Sequence, residues 1–400
     1  MEDSLYQSLK GAGLEDIGEK VCEGKRISEE DALRLFDCPD LHAVGRLADY
    51  ACHRKQGAVA TYIVNRYLNY SNICILSCRF CAFYRREGEE GAFTFSIEKL
   101  VEEAEHSYRQ GIREIHCVGG LHPKLPFDYY LALVREIKKA CPGIQLKAFT
   151  AIEIRHLACR IARLPIEQTL QQLKDAGLDA LTGGGAEIFH PEIRNQICRG
   201  KETAEEWLEV HRIWHKLGQR STATMLYGHI EQVSHRVDHL RRLRELQDET
   251  GGFTAFVPLP YQPDGSGRLP VVRKTSLLDQ LRTIAVSRLY LDNFDHITAY
   301  WLSMGLAGAQ VALAFGADDL HGTLQEERIY HMAGATTPQG TTARKLERLI
   351  REAGRIPVQR DTFYRVVPAG ERKELERSSQ QDSNGRKEKK MGRLSNPKAS

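Results

Sequence analysis

No stretch of the chain approaches the roughly 20 uninterrupted apolar residues that a membrane-spanning helix needs. The opening MEDSLYQSLKGAGLEDIGEK mixes charge throughout and has no apolar centre of the kind a secretion signal carries. A cytoplasmic protein without a membrane span is expected. A one-sided charge is missing too. The net charge is +3, but the segment from Glu371 to Ser400 holds nine Lys/Arg against five Asp/Glu, so the remainder of the chain sits at −1. A nucleic-acid partner calls for a basic stripe on the folded domain itself, and none is expected here. The tail, almost free of large apolar residues, is expected to be solvated and disordered. With 42% hydrophobic and 27% charged residues and 33 Gly, the composition excludes collagen, wholesale disorder and a coiled coil.

Paired cysteines are also absent. Seven of the ten, Cys22, Cys38, Cys52, Cys117, Cys141, Cys159 and Cys198, stand singly, the pattern of reduced, mostly buried structural thiols. The other three are different. Cys74, Cys78 and Cys81 form C-x-x-x-C-x-x-C, a spacing that ten randomly placed cysteines would give with a probability of roughly 0.6%.

Residues 1–57 carry Leu33, Phe36, Leu41, Val44, Leu47 and Ala51 near helical spacing and are expected to form an N-terminal helical cap. Over residues 58–370, apolar runs alternate with amphipathic helical stretches. The runs are TYIVNRYLN, REIHCVGG, IQLKAFT, DALTGGG, RSTATMLYG, GGFTAFVPLP, HITAYWLS and a short one near VALAFGADD. Such alternation builds a parallel sheet from βαβ units, and the count fits a closed or partly closed TIM-like (β/α) barrel. Residues 337–367 read as a closing helix and edge segment, followed by the basic tail of 371–400. In a barrel the chemistry lies in the loops after the strands. NYSNICILSCRFCAF, GGLHP, TAIEI, GGGAEIF and PLPYQPDG all fall there.

A structural zinc site is closed by four ligands, and the fourth cysteine is missing from this loop. A [4Fe-4S] cluster on three thiolates keeps one iron open for chemistry. The three-then-two spacing on the loop after a first barrel strand resembles the radical S-adenosylmethionine superfamily. Longer strings, HCVGGLHPKLPFDYYLALVREIKK, LKAFTAIEI, LTGGGAEIFHPEIRNQICRGK and ERIYHMAGATTPQG, resemble its aminofutalosine synthase family, of the futalosine route to menaquinone, from about Tyr62 to Tyr364. The related dehypoxanthine futalosine cyclases, which abstract hydrogen, carry Asn at the position of His122 and Ser-Pro-Pro-Glu in place of TAIE. This chain follows the synthases at both.

The resemblance implies a [4Fe-4S] cluster on Cys74, Cys78 and Cys81 and S-adenosylmethionine consumed as co-substrate. It also implies a small aromatic carboxylate substrate, 3-[(1-carboxyvinyl)oxy]benzoate, and a flavodoxin or ferredoxin-type electron donor. Phe80 would pack beside adenine, and Gly119 and Gly120 would meet the methionine end. Two substrate carboxylates require cationic or oriented donors in a mostly apolar pocket. Candidates at the expected barrel mouth are His122, Lys124, Thr150, Glu153, Glu187, His190, Arg194 and His296. Among them His122 and Glu153 are the expected catalytic residues, Glu187 is expected to hold the cofactor ribose or ammonium group, and Arg194 or Lys201 its carboxylate. Asp318–Asp319 and Glu326–Glu327 read as surface or peripheral charge.

Overall fold

The computed structural model describes residues 3–263, 268–269 and 274–368. The basic tail from 371 and Asp264–Gly265 of PLPYQPDG lie outside the described residues.

Four helices, Asp3–Gly11, Glu15–Cys22, Glu29–Asp37 and Leu41–Gln56, precede the first strand. The third is started by a reciprocal cap: Ser28 Oγ accepts from the Asp31 amide while Asp31 accepts from the Ser28 amide. The fourth stops where Gly57 takes φ +59°. The third and fourth pack on helices Val233–Thr250 and Leu277–Tyr290, the first two pack on the fourth, and Arg26 bridges Asp248 and Asp292. They therefore cover the flank and base of the barrel rather than its mouth. Among the described residues no helix is long and apolar enough to cross a membrane.

The strands are β1 (Val59–Ile63), β2 (Asn65–Leu68), β3 (Glu114–Cys117), β4 (Gln145–Ala148), β5 (Ala180–Leu181), β6 (Arg220–Tyr227), β7 (Phe253–Pro260), β8 (His296–Ile297), β9 (Asp319–Gly322) and β10 (Ile356–Gln359). All their pairings are parallel. β2 to β8 form one sheet in sequence order, and β1 sits between β10 and β9 in a second. A bridge from Thr298 to Asp319 and another from Arg66 to Gln325 link the two, so the strands curl into a ring, a TIM-like α/β barrel.

Three sequence expectations shift. TYIVNRYLN, read as one strand, divides at Val64. Up to Ile63 the chain pairs with β9; from Asn65, whose amide donates to the Thr323 hydroxyl, it pairs with β3. HITAYWLS contributes only two strand residues before a helix begins at Trp301, and VALAFGADD supplies the end of that helix, Trp301–Ala312, with the strand starting only at Asp319. Helix Ala343–Glu352 and β10 occupy the expected closing segment. β10 is more than an edge, because the residues after it run under the barrel. Gln145 at the base of β4 holds both Asp361 and the Thr362 amide, and Tyr364 stacks on His296 with ring centres 3.8 Å apart.

Candidate active site

The loop after β2 is pinned on all sides by backbone bonds. The Cys74 amide donates to Arg85 O, Gly120 N to Ser71 O, Ile75 N to Leu121 O and Arg79 N to Ile197 O, and the Arg86 guanidinium caps the Cys74 carbonyl at 2.6 Å. So held, Cys74, Cys78 and Cys81 all line one cavity of about 330 Å3 at the barrel mouth. Burial pushes the thiols of Cys78 and Cys81 up. As bare groups they stay protonated, and a positive centre is what would make them thiolates. Among the described residues no three His, Cys, Asp or Glu side chains converge on a single-ion site. Three thiols from one loop are the donor set that fits a cluster keeping one iron open.

Opposite that loop lie the strand ends. Gly119 and Gly120 approach so closely that a Cβ at Gly119 would meet the Tyr70 ring at 2.5 Å and Ser71 O at 2.8 Å. Glu153 also lines the cavity, but both its oxygens are taken. Oε1 accepts from the Tyr70 hydroxyl (2.7 Å) and the Gly119 amide (3.0 Å), and Oε2 accepts from the Thr150 amide (2.8 Å) and hydroxyl (2.7 Å). Thr150 caps helix Ala151–His156. Burial raises the Glu153 carboxyl against those donors. It braces two strand ends, with each oxygen held by two donors.

Glu187, in the left-handed region at φ +49°, ends the Gly183–Gly185 turn and pairs with buried Lys201 at 2.5 Å. Lys201 lies 5.5 Å from the centre of the Phe80 ring, and all three side chains line the cavity. Arg194 does not. It is buried behind the turn, where its guanidinium donates to the carbonyls of Ala186, Ile188 and Glu202, so it holds the loop and not a ligand.

His122 is also outside the cavity lining. Its Nδ1 accepts from the amides of Lys124 and Leu125, both at 3.1 Å, which ties the GGLHP turn together and uses the lone pair a base would need. The expectation that it points at the substrate is not met. Lys124 is an exposed partner of Glu87. His190 packs against His235, ring centres 4.2 Å apart, and is likewise no part of the lining. His296 starts β8, at the base of the barrel, bonded to Asp318 at 2.5 Å.

Sequence reasoning missed the lower half of the cavity. Strand register sets Tyr67, His116 and Lys147 side by side on β2, β3 and β4, and Asn65, Glu114 and Gln145 one layer beneath. From β9, Asp319 and His321 add to the two layers, and Arg360, Thr362 and Tyr364 close the chamber from below. Barrel interiors are ordinarily filled by apolar layers; here a polar floor lies beneath an open cavity. Asp319 is fully buried, clasped by Arg360 and by the hydroxyls of Thr61 and Thr298. Glu327 is buried in the chamber wall and accepts from the Tyr330 amide, with burial raising its carboxyl. Neither is surface charge. Cys159, expected to be buried, is exposed. The missed signal was polar residues two apart inside short apolar strands: Asn65 and Tyr67, Glu114 and His116, Asp319 and His321.

Comparison with known proteins bears on the whole chain. Residues 68–243 match the Radical SAM superfamily and residues 250–373 the CofH/MqnC C-terminal region. The chain is 51% identical over 371 residues to an aminodeoxyfutalosine synthase of Thermus thermophilus, covering 92% of this chain and 100% of that one. It is 36% identical over 362 residues to a cyclic dehypoxanthine futalosine synthase of Halalkalibacterium halodurans, covering 90% and 97%. Among solved structures, HydG, a maturase of the [FeFe]-hydrogenase, superposes with a TM-score of 0.67 at 18% identity over 89% of this chain and 80% of its own, a likeness of fold.

Proposed function

The chain belongs to the aminodeoxyfutalosine synthase family of the radical S-adenosylmethionine superfamily, and on that premise we propose that it joins the adenosyl group of S-adenosylmethionine to 3-[(1-carboxyvinyl)oxy]benzoate. Methionine is released, and aryl migration with loss of one carboxylate as carbon dioxide or bicarbonate then gives 6-amino-6-deoxyfutalosine for menaquinone synthesis. The observation that carries the reading is that three thiols of one loop open onto a deep chamber inside the barrel. When bound, a [4Fe-4S] cluster on Cys74, Cys78 and Cys81 and its S-adenosylmethionine supply the 5'-deoxyadenosyl radical.

The chain's own residues do the rest. Gly119 and Gly120, braced by Glu153, leave room for backbone to approach the methionine end. The Glu187–Lys201 pair and Phe80 border the adenosyl side. His122 and Arg194 act on the loops that carry these groups. Leu226, Val257, Leu259, Tyr300 and Tyr330 line the wall of the chamber and keep water from the reacting carbons. A cytoplasmic setting, with a flavodoxin or ferredoxin supplying the electron, completes the proposal.

Mass spectrometry of an anaerobic reaction with S-adenosylmethionine and the enol-ether benzoate tests it. An adduct containing the adenosine unit is expected. Free 5'-deoxyadenosine as the only nucleoside product would instead indicate hydrogen abstraction, the cyclase chemistry.

A further inference from the structure

The polar layer of Tyr67, His116, Lys147 and His321 has no task in the scheme so far, although a hollow polar floor is costly to build. Lys147 is buried at 4% exposure and is paired with one carboxylate among the described residues, Glu114, at 3.2 Å. The Nδ1 atoms of His116 and His321 are buried and have no hydrogen-bond partner, and His321 holds φ +62°, outside the comfortable range of a non-glycine residue. An unsatisfied buried polar atom and a left-handed backbone each cost folding free energy. The anionic neighbours beneath are already spent. Glu114 accepts from Asn65 and Thr362 besides facing Lys147, and both oxygens of Asp319 are clasped by Arg360. Tyr67 stacks on His116 at 4.3 Å between ring centres and fixes that ring. Burial and the nearby Lys147 ammonium hold both imidazoles neutral, His321 down to about 3. What remains is one ammonium group with spare N–H donors and two imidazoles, all lining the same chamber. Along β3, His116 lies three residues below Gly119, about 10 Å at the strand rise.

We infer that Lys147, with His116 and His321 beside it, binds the ring carboxylate of the aromatic substrate at the floor of the chamber. This rests on the reaction proposed above. Of the two substrate carboxylates, the enol one is bonded to the reacting alkene and must stay at the mouth with the cofactor. Only the ring carboxylate, across the aromatic ring, reaches the floor. An ammonium group in a dry chamber recognises it by a charge-assisted hydrogen bond, and a neutral imidazole edge facing the chamber adds a ring N–H donor. The floor thereby sets the depth at which the alkene stands below the thiol loop, which makes these specificity and positioning residues.

The test uses the reconstituted holoenzyme and two variants. His116→Phe keeps the stacked ring without its nitrogens. Glu114→Gln/Lys147→Met removes the ammonium without leaving its carboxylate partner charged and buried. Two ligands are compared with the diacid substrate: the analogue bearing hydrogen in place of the ring carboxylate, and 3-hydroxybenzoate, which has the ring carboxylate but no alkene. Expected results are a tenfold or greater loss of the kcat/KM preference for diacid over analogue in each variant and a tenfold or greater weakening of 3-hydroxybenzoate by calorimetry. The cluster absorbance and S-adenosylmethionine affinity should match wild type. Wild-type preference and wild-type 3-hydroxybenzoate affinity in both variants would overturn the inference. Should wild-type enzyme make no adenosyl adduct, the reaction reading falls, and the calorimetry still decides the floor.

Discussion

Gly120 is the point at which a single methyl group should separate folding from cofactor loading. A Cβ there would stand 2.7 Å from the carbonyl carbon of Ile73, with its oxygen closer still, and 3.1 Å from the carbonyl carbon of Asn72. These are backbone atoms of the segment that enters the cysteine loop, so no rotamer change relieves the clash. The Gly120 amide is meanwhile bonded to Ser71 O and the Leu121 carbonyl to the Ile75 amide, so strand end and loop cannot simply part. In Gly120→Ala the Ile73–Cys74 backbone must retreat by roughly half an ångström or more, an overpacking that costs about 1–3 kcal/mol. That is small enough for the barrel to survive. The thiols move with the backbone, and displacements of about 1 Å at a reacting centre cost on the order of 100-fold in rate. The expected outcome is a folded protein, shown by circular dichroism and a modestly lowered denaturation midpoint, that takes up less than half the wild-type iron on anaerobic reconstitution and turns over about 100-fold more slowly. Gly11→Ala, with nothing within 4 Å of its Cβ, is the control and should be silent. Full iron and full turnover in Gly120→Ala would refute the idea that close packing of Gly120 on the loop places the thiols.

Other substitutions probe the remaining parts. Cys78→Ala should lose most iron and all turnover, while Cys159→Ala, at an exposed position, should keep both; iron and sulfide counts decide. Glu153→Gln sets an amide NH2 against a backbone N–H, of Gly119 or Thr150, that can only donate, so the denaturation midpoint should fall by the equivalent of about 1–3 kcal/mol, and S-adenosylmethionine affinity should fall with it as the Gly119 edge loosens. An unchanged affinity would show that the brace is irrelevant to the cofactor side. Stability should also decline as pH falls from about 6.5 towards 3. Burial depresses His215 and His239 to about 3, so in that window the unfolded chain binds protons the folded chain refuses, at about 1.4 kcal/mol per pH unit per group. Above pH 6.5 their contribution is complete. His239→Gln should remove one proton's worth of that slope in chemical denaturation followed across pH, and an unaltered slope would refute it.

The sequence by itself determined the class of fold and marked the cysteine loop as the candidate site. Strand and helix periods depend on near neighbours, and C-x-x-x-C-x-x-C is a local pattern, so Cys74, Cys78 and Cys81 with Gly119 and Gly120 were legible one residue at a time. The tertiary structure decided which polar residues face the chamber. Glu153 and His122 sit in similar loop peptides, yet one lines the cavity and the other turns its Nδ1 back onto its own backbone. Arg194 and Lys201 lie seven residues apart in the chain, and only Lys201 reaches the cavity, because the guanidinium of Arg194 is spent on three carbonyls. The floor is the clearest case. Lys147, His116, His321 and Arg360 are brought together from four separate segments by strand register and by the chain that closes the barrel from below. Register is set by long-range pairing and by which face of each strand is turned inward, and no local stretch of sequence contains that information.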